Sequence, residues 1–444
     1  MRRRARRGCL QIQSTLIAPV NIIIINDAAF IRGGADRVAF DSAAGLAALG
    51  HRVTLFTGFG PIDPALEAIP GITIHCLGTG WLKQEQTSPG AAIRGMWNFS
   101  AARRLREVLK GFDRRDSVVH VHLYAAGLTC SVLNESLSAG FPTILTLHDY
   151  FITCPNGAYF VFPKAQLCER HALGWSCFGC HCDSRKQIHK YWRFARTWIQ
   201  GRIAKIPERV TAYAAVSETC AKLARRDLPN SARIEVVPNI VAVERGAPVD
   251  VAKNRALVFT GRLEDYKGPQ LHAQAAARLG LPVVFCGTGP MEAELRGLCP
   301  EASFTGWLSP HRILEELGKA RAFVFPSVYR ETFGLSAAEA LARGIPVIAS
   351  RGTAAEEFVL HGENGLLFQH NSVDDLVSQL SLLEDDSLVA RLGAEAYRLY
   401  WEKPLTTEAH IECLQKLYNS VNGRQEPPPV GESRPGRSGS VAPA

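Results

Sequence analysis

A chain of 444 residues is longer than one ordinary hydrophobic core supports, and with 46% hydrophobic residues it can bury two. The net charge of +8, from 50 basic and 42 acidic side chains, is modest for this length but uneven, with Arg2, Arg3, Arg4, Arg6 and Arg7 crowding one end. No apolar stretch is long enough to span a bilayer, which excludes an integral helical membrane protein.

The basic end suits a nucleic acid or an anionic membrane surface. It does not read as a signal peptide, because Gln11, Gln13, Pro19 and Asn21 interrupt the apolar part that follows. A cytoplasmic protein is expected, with residues 1–19 disordered. In that reducing compartment twelve cysteines argue for thiols or metal rather than disulfides.

The first strand is predicted over Asn21–Asn26, followed by a Gly33-Gly34 turn, a helix from Ala35 to Leu49 and a strand from His51 to Thr57. This is a βαβ unit. Further strands are read at Ile72–Leu77, Val118–Tyr124 and Thr143–Leu147, the last running into His148-Asp149-Tyr150-Phe151. The next stretch, residues 154–182, holds Cys154, Cys168, Cys177, Cys180 and Cys182 with His171 and His181. Four thiolates in a reducing compartment suit a tetrahedral structural zinc.

Ser184 to Gln200 reads as a helix in which Lys186, Lys190, Arg193 and Arg196 alternate with Trp192, Trp198 and Ile199. That composition fits a helix lying on an anionic membrane, or one packed on its own domain. A strand at Val210–Val216, a helix and a strand at Ile234–Val237 complete a first domain of residues 20–240 ending near Pro238-Asn239.

A second α/β domain is predicted over residues 241–400, beginning with the strand Leu257–Thr260. Gly261-Arg262-Leu-Glu-Asp-Tyr-Lys267-Gly268 leaves its carboxyl end; a forked guanidinium and a compact ammonium on a glycine-bounded loop suit a diphosphate. Gly287-Thr-Gly289-Pro-Met-Glu292 follows the next strand, and Glu292 stands where a dinucleotide-binding turn needs glycine or alanine, which counts against hydride transfer.

A buried strand, Arg321–Phe325, then leads to a polar turn with Glu331 and a short Ala/Leu-rich helix from Gly334 to Gly344. The amides of Thr332 to Ser336 open that helix and attract phosphate. The flanking carboxylates, Glu331 and Glu339, would accept hydrogen bonds from sugar and ribose hydroxyls. A helix over residues 401–420 is expected to cross back to the first domain, and the Pro-, Gly- and Ser-rich residues 424–444 to be disordered.

Glu331 and Glu339, with Phe333-Gly334-Leu335 between them, resemble the glutamate pair of retaining GT-B glycosyltransferases of the family-4 type. The likeness extends to Gly33-Gly34 with Gly50-His51, to Arg262 and Lys267, to Gly287-x-Gly289-Pro290 and to Gly362-Glu-Asn-Gly365, covering roughly residues 20–420. The sequence departs from it at Pro238-Asn239-Ile240, where the family shows a glycine after the asparagine.

The resemblance implies a GT-B fold, two Rossmann-like domains facing an interdomain cleft. It implies transfer of a sugar from a nucleoside-diphosphate sugar to a hydroxyl of a glycan or lipid-linked acceptor, in surface polysaccharide synthesis, with no cofactor required for catalysis. It assigns His148 to the donor sugar, Arg262 and Lys267 to the diphosphate, Glu331 to sugar hydroxyls and Glu339 to the ribose. Gly33, Gly34, Gly289, Phe333, Gly334 and Leu335 would line the donor pocket. A bacterial subset shares the Cys-rich segment, and by that likeness Cys154, Cys168, Cys177 and Cys182 are the zinc ligands and Cys180 is spare. Expected partners are the donor, the acceptor and an anionic membrane contacted peripherally from the cytoplasm, with no nucleic acid. A sugar-nucleotide epimerase of the same fold and a non-catalytic nucleotide-sugar or glycan-binding module are the competing expectations.

Overall fold

A computed structural model of the chain describes residues 19–79 and 89–423. The Arg-rich terminus and the tail from residue 424 lie outside them, so the disorder expected of both is left aside.

The first sheet is built from β1 (Asn21–Ala28), β2 (Arg52–Phe59), β3 (Ile72–Cys76), β4 (Ser117–Val121) and β5 (Thr143–Leu147). A two-stranded hairpin, β6 (Phe160–Val161) and β7 (Gln166–Leu167), precedes the last two strands of the sheet, β8 (Ala212–Ala215) and β9 (Ile234–Val236). The order is β3-β2-β1-β4-β5-β8-β9, parallel throughout. Helices cover both faces of such a sheet, which is why Ile22, Ile23, Ile24 and Ile25 are all fully buried rather than alternately exposed.

The second sheet contains β10 (Ala256–Thr260), β11 (Val283–Cys286), β12 (Ser303–Gly306), β13 (Ala320–Phe325), β14 (Val347–Ser350) and β15 (Gly365–Phe368). Its order is β12-β11-β10-β13-β14-β15, again parallel. Strand order reverses between β1 and β4 in one sheet and between β10 and β13 in the other. Each reversal opens a crevice beyond the carboxyl ends of its strands, where ligands of such sheets bind.

The crossing segment differs from the single helix expected over residues 401–420. One helix, Asp386–Glu402, packs on Leu335–Ala342 in the second domain, with Trp401 Nε1 donating to the Ala342 carbonyl at 2.9 Å. Pro404 cannot continue it, and a second helix, Thr407–Val421, starts after Thr406, whose hydroxyl caps it by accepting from the Ala409 amide. This last helix lies on Gly34–Ala48. Its Ile411, Leu414, Leu417 and Tyr418 join Ile22, Ile24 and Val53 in the first domain's core.

The basic, aromatic helix begins at Gln187 rather than Ser184 and runs to Trp198. Lys190 and Arg196 are buried and Arg193 pairs with the buried Asp183 at 3.2 Å, so much of its positive charge faces its own domain. Ile188, Tyr191 and Trp198 stay exposed.

Candidate active site

At the second switch point the chain leaves β13 and returns Glu331 under the sheet's edge, where the carboxylate is nearly sequestered from solvent. Its Oε1 accepts from Lys267 Nζ at 2.5 Å and Ser327 Oγ at 3.0 Å, and its Oε2 from the Tyr329 hydroxyl at 2.7 Å. Three donors occupy most of a carboxylate's acceptor capacity, leaving room on Oε2. Lys267 comes from the loop after β10. Gly268 follows it in the left-handed region (φ 72°), and a Cβ there would lie 2.0 Å from the Pro326 carbonyl oxygen. The Val328 amide also donates to the Tyr266 carbonyl at 3.0 Å, so the two loops are locked backbone to backbone.

Arg262 lies on the same wall but does not reach Glu331. It donates to the Tyr266 hydroxyl at 2.6 Å and pairs with Glu264 at 3.1 Å, and most of its side chain is exposed. Tyr266 meets Tyr329 edge to face, with centroids 5.1 Å apart, so an aromatic pair connects the guanidinium to the Lys267–Glu331 pair. Ser327, Tyr329 and Tyr266 carry this wall and were not singled out from the sequence; their only signal was adjacency to Glu331 and Lys267.

The glycines divide by role. Gly33 is extended (φ −178°) with open space where a Cβ would be, whereas a Cβ on Gly34 would come 2.5 Å from Leu335 Cδ1. Gly34 thus admits the start of the second domain's helix. Gly289 sits against the Leu263 backbone, and Gly287 against the Gly261 carbonyl oxygen at 1.9 Å from an ideal Cβ. Both hold the Arg262 loop to the β11 loop. Gly334 (φ 104°) precedes the helix Leu335–Ala342; its carbonyl accepts from the Ala337 and Ala338 amides, so the Leu335 and Ser336 amides stand ahead of the helix's first hydrogen bonds. Glu339 is half-buried on that helix; burial raises its pKa and the charge of Arg37 opposes the rise.

Across the gap, the turn after β5 meets the Glu331 loop directly. Thr332 Oγ1 donates to the His148 carbonyl at 3.1 Å, Ser217 Oγ donates to the Thr332 carbonyl at 2.7 Å, and Glu357 accepts from the Glu218 and Thr219 amides. Arg330 pairs with Glu169, and Phe333 is buried among first-domain side chains.

His148 Nε2 and His122 Nδ1 are 3.0 Å apart and their rings stack at 5.2 Å. His120 lies 4.3 Å from His122 and is bound to Tyr418 and Thr146. Burial, reinforced by the charge of His410, lowers the pKa of His148 to about 3, and burial lowers that of His122 well below the usual range. Both are therefore neutral imidazoles. His122 Nε2 is buried without a partner among the described residues. An unpartnered lone pair is easier to bury than an unpartnered N–H, which places the His122 proton on Nδ1, donating to His148 Nε2. His148 then carries its own proton on Nδ1 as a donor.

Cys154, Cys168, Cys177, Cys180 and Cys182 line one small cavity with Asn156, Arg170 and Lys190. As the side chains stand, no three His, Cys, Asp or Glu groups among the described residues are arranged around a metal position.

Two parallel α/β domains with functional loops at both switch points define a GT-B architecture. Residues 32–245 match the family model described as Glycosyltransferase Family 4, and residues 244–399 match that described as Glycosyl transferases group 1. The chain belongs to the family-4 GT-B glycosyltransferases.

A D-inositol 3-phosphate glycosyltransferase of Corynebacterium glutamicum (strain R) is 33% identical over 196 residues, 40% of this chain and 46% of that protein. The match thus spans less than half the length of that relative. Its namesake from Pseudarthrobacter chlorophenolicus is 26% identical over 385 residues, 80% of this chain and 82% of that protein. The solved structure of Anabaena HepE in complex with UDP-glucose shares the fold, with a TM-score of 0.62 at 16% identity, covering 90% of this chain and 100% of that one.

Proposed function

We propose that this protein transfers a sugar from a nucleoside-diphosphate sugar to a hydroxyl of a glycan or lipid-linked acceptor, in surface polysaccharide synthesis, with retention of anomeric configuration. The observation that carries the reading is the Lys267–Glu331 pair at the second switch point, facing the His148 turn of the other domain. The named ligand of the Anabaena structure supports a nucleotide-sugar donor. Lys267 has three N–H donors; Glu331 takes one at 2.5 Å and Tyr329 lies at 3.5 Å, so a phosphate oxygen can be accommodated without breaking the ion pair. Charge developing on the leaving diphosphate would be stabilised by Lys267, by Arg262 and by the first amides of Leu335–Ala342, with no metal in the step.

Glu331 would hold a sugar hydroxyl through its remaining Oε2 site and Glu339 the ribose. His148, donating from Nδ1, would hold a sugar oxygen. His148→Ala is expected to lower kcat/KM by about tenfold to a hundredfold, the worth of one buried hydrogen bond, in a protein that still folds but melts lower because the buried His122 donor loses its partner. Unchanged turnover would remove His148 from the site.

A thermal-shift panel of UDP-, GDP- and dTDP-sugars, followed by product analysis with and without acceptor hydroxyls, tests the assignment. Sugar transferred only with acceptor present supports it, an epimerised nucleotide sugar without acceptor points to the epimerase, and stabilisation without any product leaves a binding module. The anomeric proton coupling of the product decides retention.

Trp175 (90% exposed), Ile188 (66%) and Trp198 (47%), with Lys186 and Arg202 nearby in sequence, support peripheral contact with an anionic membrane from the cytoplasm. No helix of the described residues is long and apolar enough to cross a membrane. Salt-sensitive co-sedimentation with phosphatidylglycerol vesicles is expected, and equal recovery with neutral vesicles would count against it.

A further inference from the structure

The hairpin β6–β7 comes from the first domain but packs between the two. Its strands pair Phe160 with Leu167 and Val161 with Gln166, and a hairpin of this size holds no shape by itself in water. What it leans on therefore decides its role. Successive side chains of a strand point to opposite faces, and here the faces belong to different domains. Val161 lies in the first domain's core. Phe160, 1% exposed, lies in the second domain's core with Phe323 and Val347, and Phe162 and Leu167 pack on the same cluster. Just past the hairpin, Glu169 pairs with Arg330, the neighbour of Glu331.

The tip of this hairpin reaches Arg262 through a row of rings. Phe160 and Phe162 meet edge to face at 5.2 Å, Phe162 and Tyr266 at 5.6 Å, and Tyr266 and Tyr329 at 5.1 Å. Tyr266 thus stands between a first-domain ring and the tyrosine that donates to Glu331. Its hydroxyl accepts from Arg262 Nη2 at 2.6 Å. Little else holds that guanidinium: the Arg262 side chain is 64% exposed and also pairs with Glu264, at 3.1 Å. An exposed arginine loses rotamer freedom when it grips an anion, and fixing it beforehand lowers that loss. The Tyr266 hydroxyl selects the rotamer, and the rings on either side of Tyr266 set where that hydroxyl points.

We infer that Phe162 is a positioning residue for the sugar donor: from the first domain it sets Tyr266, and through Tyr266 it sets Arg262, in place for the diphosphate. This rests on the assignment of Arg262 to the diphosphate made above and adds what holds it there. Phe162 acts only through its neighbours. The consequence is that the donor wall of the second domain is complete only while the first domain's hairpin is docked on it.

The test uses the full chain. UDP and GDP are titrated by calorimetry into wild type, Phe162→Ala, Arg262→Ala and the double variant, with a thermal melt of each. Phe162→Ala is expected to weaken the nucleoside diphosphate that binds by about threefold to tenfold, the worth of an edge-to-face ring contact. In the Arg262→Ala background the same substitution should cost no further affinity, because the group it positions is gone. Phe162→Tyr, which keeps the ring, should bind as wild type does. A ring needed only for stability would weaken binding equally in both backgrounds, and that result, or no loss from Phe162→Ala, overturns the proposal. Phe162→Leu keeps apolar bulk at the hairpin tip without a ring and gives the same reading, with a smaller loss, should the alanine variant not fold. If Arg262→Ala binds both nucleotides as tightly as wild type, the diphosphate assignment falls and takes this role of Phe162 with it. If Arg262→Ala weakens binding and Phe162→Ala does not, only the role of Phe162 falls.

Discussion

Lys267→Met is expected to lower kcat/KM by about 100- to 1,000-fold, the loss seen when one preorganised group that stabilises developing charge is removed. Methionine keeps the length and apolar stem of the lysine and deletes the ammonium. The side chain is 23% exposed and its partner Glu331 9%, so the variant also leaves a largely buried carboxylate short of its ion pair. That structural cost is about 1–2 kcal/mol after discounting for solvent. The two effects separate in a double variant. Lys267→Met with Glu331→Gln should regain most of the lost melting temperature, because Ser327 and Tyr329 can still hydrogen-bond the amide, yet it should recover no activity. Steady-state kinetics and thermal melts of the four proteins measure both. If the double variant regains activity along with stability, Lys267 serves only to neutralise Glu331, and the diphosphate assignment fails.

The second large effect concerns stability. Gly287→Ala is expected to destabilise the second domain by at least about 3 kcal/mol, a drop of about 6–12 °C in Tm for a domain of this size. The reason is steric. Gly287 has φ 150°, and a Cβ built on it falls 1.9 Å from the Gly261 carbonyl oxygen, a backbone atom that cannot swing away. Leu263 N to Thr288 O at 2.9 Å and Gly261 N to Cys286 O at 3.0 Å tie the same two loops on either side, so neither can shift without breaking a bond. Gly33→Ala is the control. Its extended backbone and empty surroundings make that change nearly neutral in a melt, and equal losses from the two substitutions would refute the steric account.

Local patterning made much of the fold readable. The strand expected at Thr143–Leu147 has those bounds in the structure, and the helix expected to stop at Gly344 ends at Ala342, capped by Arg343, with that glycine just beyond at φ 72°. What periodicity could not convey were pairings between distant positions. His122 touches His148 across 26 residues and Lys267 touches Glu331 across 64, and neither partner changes the local pattern of the other. Gly289 was assigned to the donor pocket by the family resemblance alone; that the Leu263 backbone passes beside it and leaves no space for a Cβ was not legible in the local sequence. For the basic helix, read as lying on a membrane or packed on its own domain, the pattern could not convey which charges turn inward: Arg196 stacks over Phe151 and Trp192 and donates to the Ala125 carbonyl.

The helix Thr407–Val421 has a consequence for biogenesis. Because its apolar side fills the groove beside β1 and Gly34–Ala48, the amino-terminal lobe is finished by the final segment described. On the ribosome that lobe must wait, partly unsealed, while some 160 intervening residues are made, and the middle lobe has every strand it needs sooner. Nascent chains stalled before residue 407 should therefore recruit chaperones through the exposed groove that Ile411, Leu414 and Leu417 later occupy.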